Sequence, residues 1–166
     1  VVVDGDRVRV IRLADARLGA VPSLAALGGL DRVELRRCHI SALGGVCAAP
    51  ALAALALPAN PIADLGGIEG CRSLRELDLS STRVTSLAAL RPLAALERVS
   101  VADTQLRSLD GLGGHPALRL VEASRAALTS LDGLEGSPAL EFLNVRENHI
   151  SDASPLVGLA ALRRVD

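Results

Sequence analysis

The side chains in this 166-residue chain that could carry chemistry are three histidines (His39, His115, His149), three cysteines (Cys38, Cys47, Cys71) and scattered carboxylates. Their spacing assembles no known catalytic constellation. Lysine is absent, which removes the phosphate-binding lysine, the Schiff base and the Ser-x-x-Lys nucleophile, and neither GxSxG nor HExxH occurs. Glu76 and Asp78 have the spacing of a carboxylate pair on one strand face, but solvated charge is the commoner meaning of such a pair. No catalytic, metal-binding or cofactor-binding residue is predicted. Three cysteines with no Cys-x-x-Cys pairing point to free thiols in a reducing, cytoplasmic setting and against a disulfide framework.

The composition narrows the partners. A net charge of −1 provides no general attraction for nucleic acid or for an anionic membrane. Arg, Asp and Glu interrupt every apolar stretch before it could span a bilayer. Apolar residues at 49% and charged residues at 22% are a globular balance, and the length suits one domain. Every basic residue is arginine, Met, Tyr and Trp are missing, and Phe142 is the only aromatic, a bias of coding rather than of function.

The elements that would position any site come from a repeat. Around LRELDLSSTRVTSLAALRPLAA the aliphatic residues step by three, two, five, three, three and three, which neither a helix nor a strand alone explains. With Leu74 as position one and a step of 22, the chain gives Val8, Leu30, Leu52, Leu74, Leu96, Leu118, Leu140 and Leu162. Position four reads Ile11, Val33, Leu55, Leu77, Val99, Val121, Leu143, Val165, and positions six and eleven are as regular. Seven complete units and a partial eighth follow without insertion or deletion.

The pattern LxxLxLxx(N/T/C)xL, clearest in LRELDLSSTRV, LERVSVADTQL and LEFLNVRENHI, resembles the leucine-rich repeat family over practically the whole chain. The constant 22-residue length looks most like its phosphatase-regulator-like and internalin-like subclasses. The resemblance implies an α/β repeat fold: a curved solenoid with short parallel strands on the concave face and 3₁₀ or extended segments on the convex side. Positions three to five would form a strand with position four inward and three and five outward. Position nine (Cys38, Asn60, Thr82, Thr104, Asn148) would satisfy buried backbone groups. In this frame His39 and His149 lie roughly 24 Å apart and share no metal. His115 becomes a hydrogen-bonded turn residue, while Cys38 and Cys71 become core or ladder thiols. A capping-box match at Ser73–Glu76 is overruled, because the frame puts Glu76 in a strand. Repeat six, with Ala123 and Ala126 at positions six and nine, is expected to lose core volume and a ladder bond.

Residues 1–166 are expected to be one solenoid and, since LRRVD stops five residues into a unit, part of a longer polypeptide. Function is expected on the concave face as non-catalytic protein or peptide binding. Leu120 and Phe142 adjoin on the outward position-three row as an apolar anchor, with Arg98 beside them. Arg12, Arg32, Arg36 and Arg37 cluster toward the amino end and could clamp an acidic or phosphorylated segment. The alternatives are a structural subunit fixed in a large assembly such as a ciliary or cytoskeletal one, an internalin-like adhesion domain, or the regulatory part of an enzyme.

Overall fold

The structure is a computed structural model that describes residues 1–4 and 7–166. Its nine strands are β1 (Val2–Asp4), β2 (Arg7–Ala14), β3 (Arg32–Arg36), β4 (Ala54–Ala56), β5 (Glu76–Asp78), β6 (Arg98–Ser100), β7 (Leu120–Glu122), β8 (Phe142–Asn144) and β9 (Arg164–Val165). Among the described residues they form one sheet in chain order. From β2 onward every pair is parallel and in the 22-residue register: Val33 faces Leu55, Leu55 faces Leu77, Leu77 faces Val99 and Val121 faces Leu143. A fixed repeat length makes each strand land beside its predecessor without a shift, so like positions stack into rows. The repeat frame also left β1 unforeseen, which pairs antiparallel with β2 and places Val2 opposite Val10.

The core is the inward row of each position. Leu30, Leu52, Leu74, Leu96, Leu118 and Leu140 are almost wholly buried, as are the position-four residues from Val33 to Leu143. At the amino end the inward rows are more open: Leu13 at position six is 43% and Leu18 at position eleven 39% exposed. On the convex side the chain runs in turns and short 3₁₀ segments, Val46–Ala48, Ile68–Gly70, Ala88–Leu90 and Ser154–Leu156. Gly67, Gly111 and Gly133 share position sixteen there with φ of 94°, 110° and 93°. A Cβ on Gly133 would stand 2.3 Å from the Asp110 nitrogen, so only glycine fits this conformation and spacing.

Position eight departs from ordinary residue preference. Asp15, Arg37, Ala59, Ser81, Asp103, Arg125 and Glu147 all take φ between 50° and 58°. None is glycine, and each pays the steric cost of the left-handed region to turn the chain off its strand.

The position-nine ladder takes two forms. Asn60 accepts from the backbone nitrogens of Cys38 and Ile40 and donates to the carbonyls of Leu35 and Leu57, tying its own repeat to the preceding one. Thr82 and Thr104 donate only within their own repeats, to Leu79 and Val101. The ladder bond that Ala126 forfeits in repeat six is supplied from the next repeat. Asn148 of repeat seven donates to the Ala123 carbonyl at 2.8 Å and accepts from the Leu128 nitrogen at 3.0 Å, and Ala123 is fully buried.

The expectation of free thiols fails for two of the three cysteines. Cys47 and Cys71 form a disulfide with their Cα atoms 4.6 Å apart, and Cys38 alone is free and buried. They occupy positions eighteen and twenty of consecutive repeats. Stacking and the convex turn bring these unlike positions together, a juxtaposition that spacing in the sequence does not reveal.

Candidate functional site

The concave sheet presents the outward rows, and the sheet register decides which side chains adjoin. Along position three, Arg32 faces Ala54, Ala54 faces Glu76, Glu76 faces Arg98, Arg98 faces Leu120, and Leu120 faces Phe142. Leu120 and Phe142 are therefore true neighbours on adjacent strands, both half-buried. Phe142 is also opposite Arg164, whose guanidinium carbon lies 5.5 Å from the ring centroid, a cation–π distance. Arg164 is held in turn by Asp166.

The arginines expected to form a clamp lie on the face or its rim, but most already have partners. Arg12 donates to Glu34 at 2.7 Å. Arg37 sits on the position-eight rim and makes a two-pronged pair with Asp15. That pairing holds the Asp15 carboxyl below its usual range, mainly through the hydrogen bond from Arg37. Arg32 and Arg98 grip Glu76 from either side at 2.6 and 2.7 Å. Burial pushes the Glu76 carboxyl up, and the two arginines outweigh it, so the group stays below its usual range. Arg36 has no carboxylate partner among the described residues. Repetition of the unit explains this pairing. A residue and its counterpart 22 positions on are strand neighbours, so opposite charges at equal positions meet automatically. The same rule builds Asp103–Arg125 on the rim, and Arg75–Glu97 and Arg119–Glu141 along position two.

Between these groups lies an open cavity of about 490 Å³ over strands β3 to β7. Ala54 and Ala56 form its floor, and Arg32, Glu76, Asp78 and Leu120 stand around it. The cavity exists because repeat three has alanine at both outward strand positions, so the arginine–glutamate pair arches over a shallow place in the sheet. Such a face can offer hydrogen bonds, charge and a small apolar step to an extended chain.

The remaining polar groups are explained structurally. His115 is buried, with its ring nitrogens 2.9 Å from the Leu112 carbonyl and 3.1 Å from the Leu90 carbonyl. His39 and His149 are exposed at opposite ends of the stack. Among the described residues no group of three or more His, Cys, Asp or Glu converges as a metal site would. Among the described residues no helix is long and apolar enough to cross a membrane. The serines were missed by the sequence reading: Ser80, just past β5 at position seven, and Ser100, at position five of β6, share a hydrogen bond at 2.7 Å between unlike positions.

Comparison with known proteins agrees with this geometry. Residues 70–89 match the family model described as a leucine-rich repeat. No curated protein matches the chain. Among solved structures it is similar to internalin C2 of Listeria monocytogenes, with 20% identity and a TM-score of 0.74 over 95% of this chain and 79% of that one. It is also similar to a leucine-rich-repeat protein of Leptospira interrogans, with 21% identity and a TM-score of 0.79 over 95% of this chain and 48% of that one. A second Listeria internalin, InlF, gives 16% and 0.69 over 86% of this chain and 49% of that one. The chain thus spans about half the length of two of these proteins.

Proposed function

The chain has the leucine-rich-repeat fold, and from that premise we propose that residues 1–166 act as a non-catalytic protein-binding module within a longer polypeptide, with the concave sheet as the recognition surface. The observation that carries this reading is the Leu120–Phe142 pair. The chain's only aromatic side chain sits on an outward row beside a leucine, half-buried, where every repeat could as well have placed a charge. Apolar anchors ringed by polar groups carry most of the energy at protein interfaces. Arg98 and Arg164 flank the anchor, and Arg12, Arg32, Arg36 and Arg37 supply polar contacts toward the amino end. Among these last, Arg36 offers the guanidinium not committed to a carboxylate among the described residues.

A second reading is an adhesion domain working in oxidising surroundings. One observation favours it: the Cys47–Cys71 disulfide, a bond that persists outside the cytosol and is rare within it. The reducing, cytoplasmic placement rested on free cysteines, and that support is now confined to Cys38.

The test is partner capture with wild-type chain beside Phe142→Ala/Leu120→Ser, at matched folding. Loss of a partner in the variant alone supports the concave site. Capture unchanged by the variant would move binding to the convex side or to other parts of the polypeptide.

A further inference from the structure

The arginines do not set the charge of the middle of the concave face. On its outward rows in repeats four to six, three carboxylates (Glu76, Asp78 and Glu122) stand against one arginine, Arg98. Arg98 is already spent on Glu76. Neither Asp78 nor Glu122 is within ion-pair distance of a cation among the described residues; Glu122 feels Arg125 only through space, and that arginine is bonded to Asp103. Asp78 accepts only the Ser80 nitrogen, and Glu122 accepts the Ser124 nitrogen and the Asn144 amide. The two carboxylates share one row, on either side of Ser100: Asp78 faces Ser100, and Ser100 faces Glu122. Ser100 is small and bonded sideways to Ser80, so the space above it is open and continuous with the cavity that Leu120 borders.

We propose that this face takes an extended peptide with a lysine or arginine side chain over Ser100, between Asp78 and Glu122, and an apolar side chain on Leu120 and Phe142. This rests on the concave-face reading and adds the partner's chemistry to it. A cation there lies about one strand spacing, ~5 Å, from each of the two strands that carry the carboxylates. The apolar anchor lies one to two strands further on and on the neighbouring position-three row, roughly 8–12 Å away diagonally, a span that an extended chain covers in two to four residues. The peptide therefore crosses the strands diagonally, with its basic and apolar residues two to four positions apart. Charge complementarity favours this occupant. A carboxylate or phosphate at the same place would face two unpaired carboxylates.

The test is selection from a random peptide library displayed on phage against the 166-residue chain. Affinities of the enriched peptides are then measured for wild type, Asp78→Asn/Glu122→Gln and Leu120→Ser/Phe142→Ala. The expected result is enrichment of Lys or Arg two to four residues from an apolar residue. Affinity should fall at least tenfold in the carboxylate variant, and also fall when the peptide's basic residue is replaced by norleucine. Peptides that lose binding in the Leu120/Phe142 variant but not in the carboxylate variant overturn this proposal while sparing the concave site. Binding indifferent to both variants, or no enrichment, overturns both.

Discussion

Arg32 and Glu76 are joined at 2.6 Å across 44 residues of chain, and between their strands lies one that offers only Ala54 on that row. The pair bridges a whole repeat because an alanine leaves the way clear. It then meets Arg98 from the other side, and one carboxylate ties repeats two, four and five together.

Glu76→Gln should therefore cost stability at neutral pH, by up to about 1 kcal/mol for so exposed a network. The folded carboxyl is held below its usual range, so its contribution is full above that range and vanishes as pH falls through the lowered value. Denaturant unfolding of wild type and variant should differ at pH 7 and coincide in strong acid. Equal stability at pH 7 would mean that the ion pairs are energetically idle.

Asn60→Ala should be far more costly than Thr82→Ala. The asparagine satisfies four backbone groups across two buried repeats, and its loss strands several of them, for about 3 kcal/mol or more. The threonine makes one bond, worth about 1 kcal/mol. Urea midpoints of the two variants decide it, and similar midpoints would refute the ladder argument.

Backbone conformation predicts opposite signs at two sites. Gly133→Ala pushes a Cβ against the Asp110 backbone and should destabilise by about 3 kcal/mol or more. Ala59→Gly relieves a left-handed alanine at φ 56° and should stabilise by up to about 1 kcal/mol after glycine's entropy is counted. Thermal melts of the two should move in opposite directions from wild type.

Cys47→Ser/Cys71→Ser, or reduction of the wild type, should lower stability by about 2–4 kcal/mol, since the bond closes a loop across a sequence separation of 24. The double variant should also lose sensitivity to reductant. A wild-type melt unmoved by reductant would remove the case for a staple between repeats two and three.

Leu77→Asp places an unpaired charge in a row shared by all repeats and should unfold the array cooperatively. Circular dichroism would show loss of the sheet signal as one transition, whereas an unchanged melting curve would contradict the inward assignment of position four.

The 22-residue step laid out the inward and outward rows, the position-nine ladder and the neighbourhood of Leu120 and Phe142, and with the family resemblance it carried implied the solenoid. Equal repeat length forces equal positions into register, so a row in the sequence is a row in space. Whatever depends on unlike positions, or on the reach of a side chain, was hidden. The Cys47–Cys71 bond joins positions eighteen and twenty, Asn148 rescues a neighbour that lacks its own ladder residue, and Arg32 passes over an entire repeat to Glu76. The left-handed turn at position eight was equally silent, because only Asp15 and Asp103 of the seven residues found there are of a type that conformation favours. The sequence by itself determined the stacking and which face each residue takes. Tertiary structure decided which charges are already neutralised, because pairing depends on distances across strands that no single repeat contains.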